Sequence, residues 1–231
     1  MRIAMWSGPR NLSTAMMYSF GARSDFSIMD EPFYAPFLKA TGKVHPMREE
    51  ILAAHETDPE LVVQMCLAPQ NMPHLYMKHM PQHMAPDFPM GWAAKCVNIH
   101  LIRHPARVIA SYAAKWPELT FDEIGFERQA ALYQEIGGLV IDSYDIRQNP
   151  ESALRRLCLA IDLPFDPAML SWPAGPRAED GVWATHWYGA VHRSTGFAGP
   201  EGKLPVLDGR YATLLEAALP HYEKLSRVAL R

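Results

Sequence analysis

The fold is decided by the stretch Ile3-Ala4-Met5-Trp6-Ser7-Gly8-Pro9-Arg10-Asn11-Leu12-Ser13-Thr14. Residues 3–6 are apolar and predict a short buried strand, which Ser7-Gly8-Pro9 ends with turn-forming residues. Residues 12–22 are rich in helix-compatible side chains. The order strand, loop, helix predicts the opening unit of a parallel sheet.

The rest of the chain repeats this alternation. Strands are predicted over 26–29, 75–77, 97–102 and 139–141, and helices over 106–115, 121–136, 150–161 and 208–228. We expect an α/β fold, a P-loop-like doubly wound parallel sheet flanked by helices. No repeat or linker divides the chain, so residues 1–231 are expected to form one domain. Residues 172–205 hold many Gly, Pro and Trp residues and predict a long lid-like loop.

Composition excludes several classes of protein. The net charge of -3 argues against a general nucleic-acid binder, which needs a basic footprint. The cysteines, Cys66, Cys96 and Cys158, form no CxxC pair and are expected to be buried free thiols in a reducing cytosol. The chain begins without an apolar signal segment and has no run of 18 apolar residues. We expect a cytoplasmic protein that binds neither nucleic acid nor membranes.

The loop from Pro9 to Thr14 predicts an anion site. The start of a helix offers unpaired backbone N–H groups, and Arg10, Ser13 and Thr14 add further donors. A Walker A loop needs a second glycine followed by Lys and Ser or Thr, and neither is present. The alternative is a plain strand-to-helix turn with Ser as its N-cap.

A second group of polar residues follows the strand over 97–102. Arg103 ends this strand, and Ser111 lies eight residues later, about two turns into the next helix. Both can reach one phosphate at the carboxyl edge of the sheet, where open α/β sheets bind ligands. The alternative for Arg103 is a surface ion pair.

Taken together, Pro9-Arg10-Asn11-Leu12-Ser13-Thr14 and Arg103-His104-Pro105 with Ser111-Tyr112 resemble the two nucleotide-binding motifs of the sulfotransferase superfamily. That family uses 3'-phosphoadenosine 5'-phosphosulfate and releases adenosine 3',5'-bisphosphate. The resemblance implies that the first loop holds the 5'-phosphosulfate and that Arg103 and Ser111 hold the 3'-phosphate. The first loop departs from many members of the family, which carry Ser-Gly in place of Asn11-Leu12.

Later segments extend the resemblance. Ser143-Tyr144-Asp145-Ile146 and Leu163-Pro164-Phe165-Asp166 look like parts of bacterial sulfotransferases. Arg177, Gly181 and Trp183 are similar to the family's loop that closes on the nucleotide. Residues 35–73, which include substrate-binding stretches, resemble nothing assignable.

The resemblance implies an in-line displacement helped by a general base, without a metal. Glu31, in Met29-Asp30-Glu31-Pro32, resembles the acidic base of some sulfotransferases. His79, in Lys78-His79-Met80-Pro81, resembles the base in a Lys-x-His-x-Pro segment, here one residue shorter. We place Glu31 ahead of His79 and expect Lys78 or His79 to support the sulfate. Glu31 as a capping carboxylate and His79 as a core residue are the alternatives.

Three other functions stay open. They are a kinase-like phosphotransferase with a degenerate phosphate loop, a non-catalytic nucleotide-binding protein of the same fold, and a pyridoxal-phosphate enzyme. The sequence does not identify the acceptor, which we expect to be a small molecule or sugar bearing a hydroxyl or an amine. It does not indicate the oligomeric state.

Overall fold

One parallel sheet forms the centre of the molecule. The computed structural model describes all 231 residues. The strands are β1 (Arg2–Ser7), β2 (Phe26–Asp30), β3 (His74–His79), β4 (Val97–Ile102) and β5 (Leu139–Asp142), in the order β2-β3-β1-β4-β5. Every neighbouring pair is parallel. The predicted α/β fold is confirmed.

Helices connect the strands. They are α1 (Ser13–Gly21), α2 (Tyr34–Thr41), α3 (Arg48–Ala54), α4 (Pro59–Leu67), α5 (Pro105–Ala113), α6 (Phe121–Ile124), α7 (Phe126–Ile136), α8 (Ser143–Gln148), α9 (Pro150–Ala160), α10 (Ala184–Trp187), α11 (Gly189–His192) and α12 (Ala212–Ser226). Short 3₁₀ turns lie at Pro81–His83, Gly91–Lys95, Pro167–Leu170 and Gly209–Tyr211. No helix is long and apolar enough to cross a membrane.

The sequence of β1 explains its central position. Ile3, Ala4, Met5 and Trp6 are all fully buried, since the strand has a neighbour on each edge and is covered on both faces. The chain leaves β1 toward β2 and β3 on one side and later returns to β4 on the other. Such a reversal of direction opens a crevice at the carboxyl ends of the strands. The loops after β1, β3 and β4 therefore meet at one edge.

Three segments differ from expectation. The helix predicted over 121–136 is two helices, because Gly125 adopts a left-handed φ of 69° between them. The predicted loop over 172–205 contains the one-turn helices α10 and α11. Residues 35–73, which carried no assignment, contain α2, α3 and α4. All three cysteines are free, but Cys96 is only half-buried.

The approach of β5 to β4 depends on a glycine. Gly138 has a φ of 119°, and a Cβ there would lie 2.4 Å from the carbonyl oxygen of Asn98. We expect Gly138→Ala to lower the free energy of unfolding by at least about 3 kcal/mol, because it adds a backbone clash to the strain of a positive φ. Urea unfolding measures this.

Gly42, at the end of α2, is the control. Its φ of 65° and ψ of 10° lie in the left-handed region, and no atom is within 4 Å of an added Cβ, so Gly42→Ala should cost only about 1 kcal/mol. Equal losses in the two variants would contradict the steric account.

Candidate active site

A cavity of about 360 Å³ opens at the carboxyl edge of the sheet. Loops that follow β1, β2, β3 and β4 line it, and residues of the lid-like segment cover it. Most of the predicted site residues are among its lining: Pro9, Arg10, Asn11, Leu12, Ser13, Thr14, Glu31, Lys78, Arg103, Ser111 and Trp183. His79, Arg177 and Gly181 are not.

The loop after β1 presents unpaired donors. The backbone amides of Ser13, Thr14 and Ala15 donate to no group of the chain, and no side chain caps α1. Arg10 and Leu12 have left-handed φ values of 62° and 77°. Unpaired amides at a helix start attract an anion, which the helix dipole also favours.

The structure shows how this loop accommodates Asn11-Leu12 where many members of the family carry Ser-Gly. Leu12 adopts the left-handed conformation that glycine would reach without strain, at a cost on the order of 1 to 2 kcal/mol. Asn11 is buried, and its Nδ2 donates to the carbonyl of Leu101 at 3.2 Å. This bond ties the loop to the neighbouring strand β4.

The two predicted phosphate motifs are in direct contact. Nε of Arg10 donates to Oγ of Ser111 at 3.0 Å, and Nη1 of Arg103 donates to the carbonyl of Arg10 at 2.6 Å. Burial, together with the positive charge of Arg103, lowers the pKa of Arg10 from its usual value. Two crowded guanidinium groups at the cavity wall favour the binding of an anion between or beside them.

A buried ion network joins β2, β3 and the lid. Nζ of Lys78 donates to Asp30 at 3.0 Å, to Tyr188 at 2.7 Å and to Glu31. Burial alone would lower the pKa of Lys78, but the charges of Asp30 and Glu31 raise it above its usual value. Tyr188 in turn donates to Asp30. Lys78 is therefore a fixed cation between two carboxylates.

Glu31 has a neighbour that sequence reasoning missed. Its Oε2 lies 3.6 Å from Nδ1 of His83, which lines the cavity and stacks on Tyr34 at 4.3 Å between ring centroids. Burial first, and then the charges of His45 and Lys78, hold the pKa of His83 well below its usual value. A neutral imidazole thus faces the carboxylate that we predicted as the base.

His79 lies elsewhere. Its ring stacks on Trp6 at 4.6 Å and packs against Trp92 at 5.1 Å, away from the cavity. Burial, with smaller effects of His83 and Lys78, lowers its pKa to about 3. Consecutive side chains of a strand point to opposite faces, so Lys78 and His79 cannot both face the cavity. This alternation is the signal that could have favoured a later histidine over His79.

The predicted closing loop is only partly at the cavity. Trp183 lines it and donates from Nε1 to Tyr188 at 3.0 Å. The amide of Gly181 donates to Asp30 at 3.2 Å, and a Cβ at Gly181 would lie 2.2 Å from the ring of Trp183. Arg177 instead packs over Tyr18, with 4.3 Å between guanidinium and ring centroid. Gly181 and Arg177 therefore contact other side chains of the protein and do not line the cavity.

Comparison with known proteins shows which family the chain belongs to. A family profile described as a sulfotransferase domain matches residues 1–229. The chain belongs to the sulfotransferase domain family. Its fold is similar to that of the sulfotransferase domain of the olefin synthase from Synechococcus PCC 7002, with a TM-score of 0.50, 14% sequence identity and 94% of both chains covered. The sulfotransferase domain from the curacin biosynthetic pathway gives a TM-score of 0.46 at 18% identity, covering 99% of this chain and 91% of that one.

Two curated relatives come from Arabidopsis thaliana. They are branched-chain-amino-acid aminotransferase-like proteins 2 and 1, which are 36% and 38% identical to this chain over 229 residues. The match covers 96% of this chain but only 41% of each relative. The sulfotransferase-family chain thus spans less than half the length of these relatives.

The other end of this sulfotransferase-family site is aromatic. Tyr34, Phe37, Tyr112 and Trp187 line the cavity beyond Glu31, and the hydroxyl of Tyr34 makes a short hydrogen bond with His45. Pockets for small organic ligands are typically lined in this way, with a few polar groups that fix orientation. These rings offer apolar surface for a small organic ligand in the cavity that Glu31 also lines.

The placement of His79 predicts a pH effect on stability. Its folded pKa is about 3 and its usual value is 6.5, so the unfolded chain binds the proton better and stability falls as the pH drops below about 6.5. We expect His79→Leu to reduce this slope by up to about 1.4 kcal/mol per pH unit between pH 6 and pH 4. Urea unfolding at several pH values measures it.

Leu159→Ala is the control, since it changes an exposed side chain without adding or removing a titratable group and should leave the slope unchanged. A slope that is the same in His79→Leu and the unaltered chain would mean that His79 is not held neutral in the core.

Proposed function

We propose that this chain transfers a sulfuryl group from 3'-phosphoadenosine 5'-phosphosulfate to a hydroxyl or amine of a small-molecule or sugar acceptor. One observation carries the proposal: the loop of Arg10 and the pair Arg103 and Ser111 are hydrogen-bonded to each other at the same cavity that holds Glu31 and Lys78. This arrangement supports the proposal because a candidate site for the donor and a candidate base share one cavity.

The residues present fit such a donor. The unpaired amides at the start of α1, with Arg10, suit the 5'-phosphosulfate, and Arg103 with Ser111 suits the 3'-phosphate. The acceptor oxygen or nitrogen would bond to sulfur as the bond from sulfur to the phosphate oxygen breaks. Adenosine 3',5'-bisphosphate then leaves, and no metal is needed in this proposal.

Glu31 is the proposed base. Lys78 holds its Oε1, its Oε2 lies 3.6 Å from Nδ1 of His83, and both Glu31 and His83 line the cavity. The backbone of Glu31 has a left-handed φ of 40°, a strained conformation of the kind found at functional sites. Its carboxylate takes the proton of the acceptor, and the cation of Lys78 stabilises negative charge near the transferred group.

The remaining alternatives have less support. A kinase would need the lysine of a Walker A loop, which this loop lacks. The relatives are named aminotransferase-like, but a pyridoxal-phosphate enzyme needs a lysine whose amine can lose its proton and react. Lys78 is buried, donates to three partners and has a raised pKa. A non-catalytic nucleotide-binding protein differs from the proposal only in turnover.

The cysteines support a cytoplasmic location, which we also propose. All three are free, as expected of a chain kept in a reducing compartment.

The donor is tested by calorimetric titration with adenosine 3',5'-bisphosphate, 5'-AMP, and ATP with magnesium. We expect the bisphosphate to bind best. Arg103→Ala should lower the affinity for the bisphosphate by about tenfold or more, because a charged hydrogen bond to the 3'-phosphate is lost, and should change the affinity for 5'-AMP little. Arg155→Ala on the exposed face of α9 is the control. Equal affinities for 5'-AMP and the bisphosphate would contradict the donor assignment.

The base is tested by transfer of labelled sulfate to a panel of sugars, phenols, alcohols and amines. Glu31→Gln should lower turnover by about 10²- to 10⁴-fold, since it removes the proton acceptor, and should keep the affinity for the bisphosphate. Glu127→Gln, at an exposed site on α7, should leave turnover unchanged. Full turnover in Glu31→Gln would remove Glu31 as the base, and a panel with no product would favour the non-catalytic alternative.

A further inference from the structure

Three arginines converge on one carboxylate beside the nucleotide cavity. Arg103 pairs with Oε1 of Glu201, Nε of Arg107 lies 3.1 Å from its Oε2, and Nη1 of Arg147 lies 3.5 Å from its Oε1. They come from the end of β4, from α5 and from α8. Only 3% of the Glu201 side chain is exposed.

The charges in this cluster do not balance. Glu201 is the only carboxylate that forms an ion pair with Arg103, Arg107 or Arg147, so three positive charges face one negative charge. A phosphate monoester carries about -1.5 to -2 and offers three acceptor oxygens to guanidinium groups. The cluster therefore suits a phosphate better than it suits a single carboxylate.

The carboxylate of Glu201 belongs to an otherwise exposed segment, residues 198–204, which we call the strap. Apart from Glu201 these residues are exposed and belong to no helix or strand. Arg107 donates to the carbonyls of Glu201 and Gly202 at 3.0 and 2.5 Å, and Arg147 donates to those of Ala198 and Gly199 at 2.7 Å each.

Every hydrogen bond between this strap and the rest of the chain comes from Arg103, Arg107 or Arg147. A ligand that replaces the strap as the hydrogen-bond partner of these arginines therefore loosens the strap.

The cluster borders the site for the donor. Arg103 and Arg147 line the nucleotide cavity, while Arg107 and Glu201 line a smaller hollow next to it. Arg103 also donates to the carbonyl of Arg10, in the loop that receives the 5' end of the donor. A group held by all three arginines would lie at the margin of the nucleotide site.

We propose that Arg103, Arg107 and Arg147 form a single phosphate subsite, and that the carboxylate of Glu201 occupies it in place of the 3'-phosphate of the donor. This inference rests on the proposed function and extends it to Arg107, Arg147 and Glu201, none of which the sequence motifs include. Entry of the 3'-phosphate displaces Glu201 and releases the strap. Glu201 is thus a competitor that acts only against ligands with a 3'-phosphate.

The test is calorimetric titration of Glu201→Gln, which keeps the shape of the side chain and removes its charge. Adenosine 3',5'-bisphosphate should bind about tenfold tighter than to the unaltered chain, because its competitor has lost charged hydrogen bonds. The affinity for 5'-AMP should change less than about twofold. Glu151→Gln, which breaks an exposed pair with Arg155, is the matched control and should change neither affinity.

A second variant tests the arginines without the competitor. In the Glu201→Gln background, Arg147→Gln should lower the affinity for the bisphosphate by about tenfold and leave the affinity for 5'-AMP unchanged. Arg155→Gln in the same background should change neither. Thermal unfolding and circular dichroism establish that each variant is folded.

Several outcomes would overturn the proposal. They are bisphosphate affinity in Glu201→Gln that is unchanged or weaker, an equal gain for 5'-AMP, and no loss on adding Arg147→Gln. If the unaltered chain binds the bisphosphate through Arg103 but Glu201→Gln shows no gain, this inference fails and the proposed function stands. If neither the unaltered chain nor Glu201→Gln binds the bisphosphate, the donor assignment fails and this inference fails with it.

Discussion

The buried ammonium group of Lys78 is the constraint on which the shape of the site depends. An ion can be held in the interior only if its partners satisfy it, since desolvation costs several kcal/mol per charge. Lys78 on β3 meets this condition through Asp30 and Glu31, which follow one another at the end of β2, and through Tyr188 of the lid. Removing Lys78 would leave two buried carboxylates without a cation. The lid is therefore fixed to the sheet at this point, and Glu31 is held at the wall of the cavity.

The cavity has two ends of different chemistry. The end near α1 and α5 holds Arg10, Arg103 and unpaired amides, although the whole chain carries a net charge of -3. The other end holds Glu31 among aromatic rings, with a neutral His83 beside it. Local cations favour an anionic ligand, whereas a positioned carboxylate can accept a proton. Lys78 bonds to Glu31 and also lines the cavity, so a fixed positive charge lies beside this carboxylate.

Sequence reasoning recovered what depends on neighbours in the chain. The apolar run of β1, the strand over 97–102 and the position of Arg103 and Ser111 at the carboxyl edge of the sheet follow from local pattern and from the meeting of parallel strands at one edge. It did not recover what depends on tertiary contacts. Glu201 lies 98 residues from Arg103 in sequence and carries no motif, and His83 reaches the cavity through a 3₁₀ turn. His79, the second candidate for the base, lies in the core against Trp6, which is the alternative that the sequence left open.

The lid-like segment is fastened at two points that differ in kind. At Gly181 and Tyr188 its anchor is Asp30, in a network of one ammonium and two carboxylates that has no excess positive charge. The strap around Glu201 is instead held by an excess of positive charge that one carboxylate compensates in part. An anion gains nothing from a network without excess positive charge, whereas it stabilises a network that has such an excess. In the proposed site, the lid-like segment therefore stays bound to Asp30 when an anion binds, whereas its strap is released from the three arginines. The charge of the ligand determines whether the strap is released.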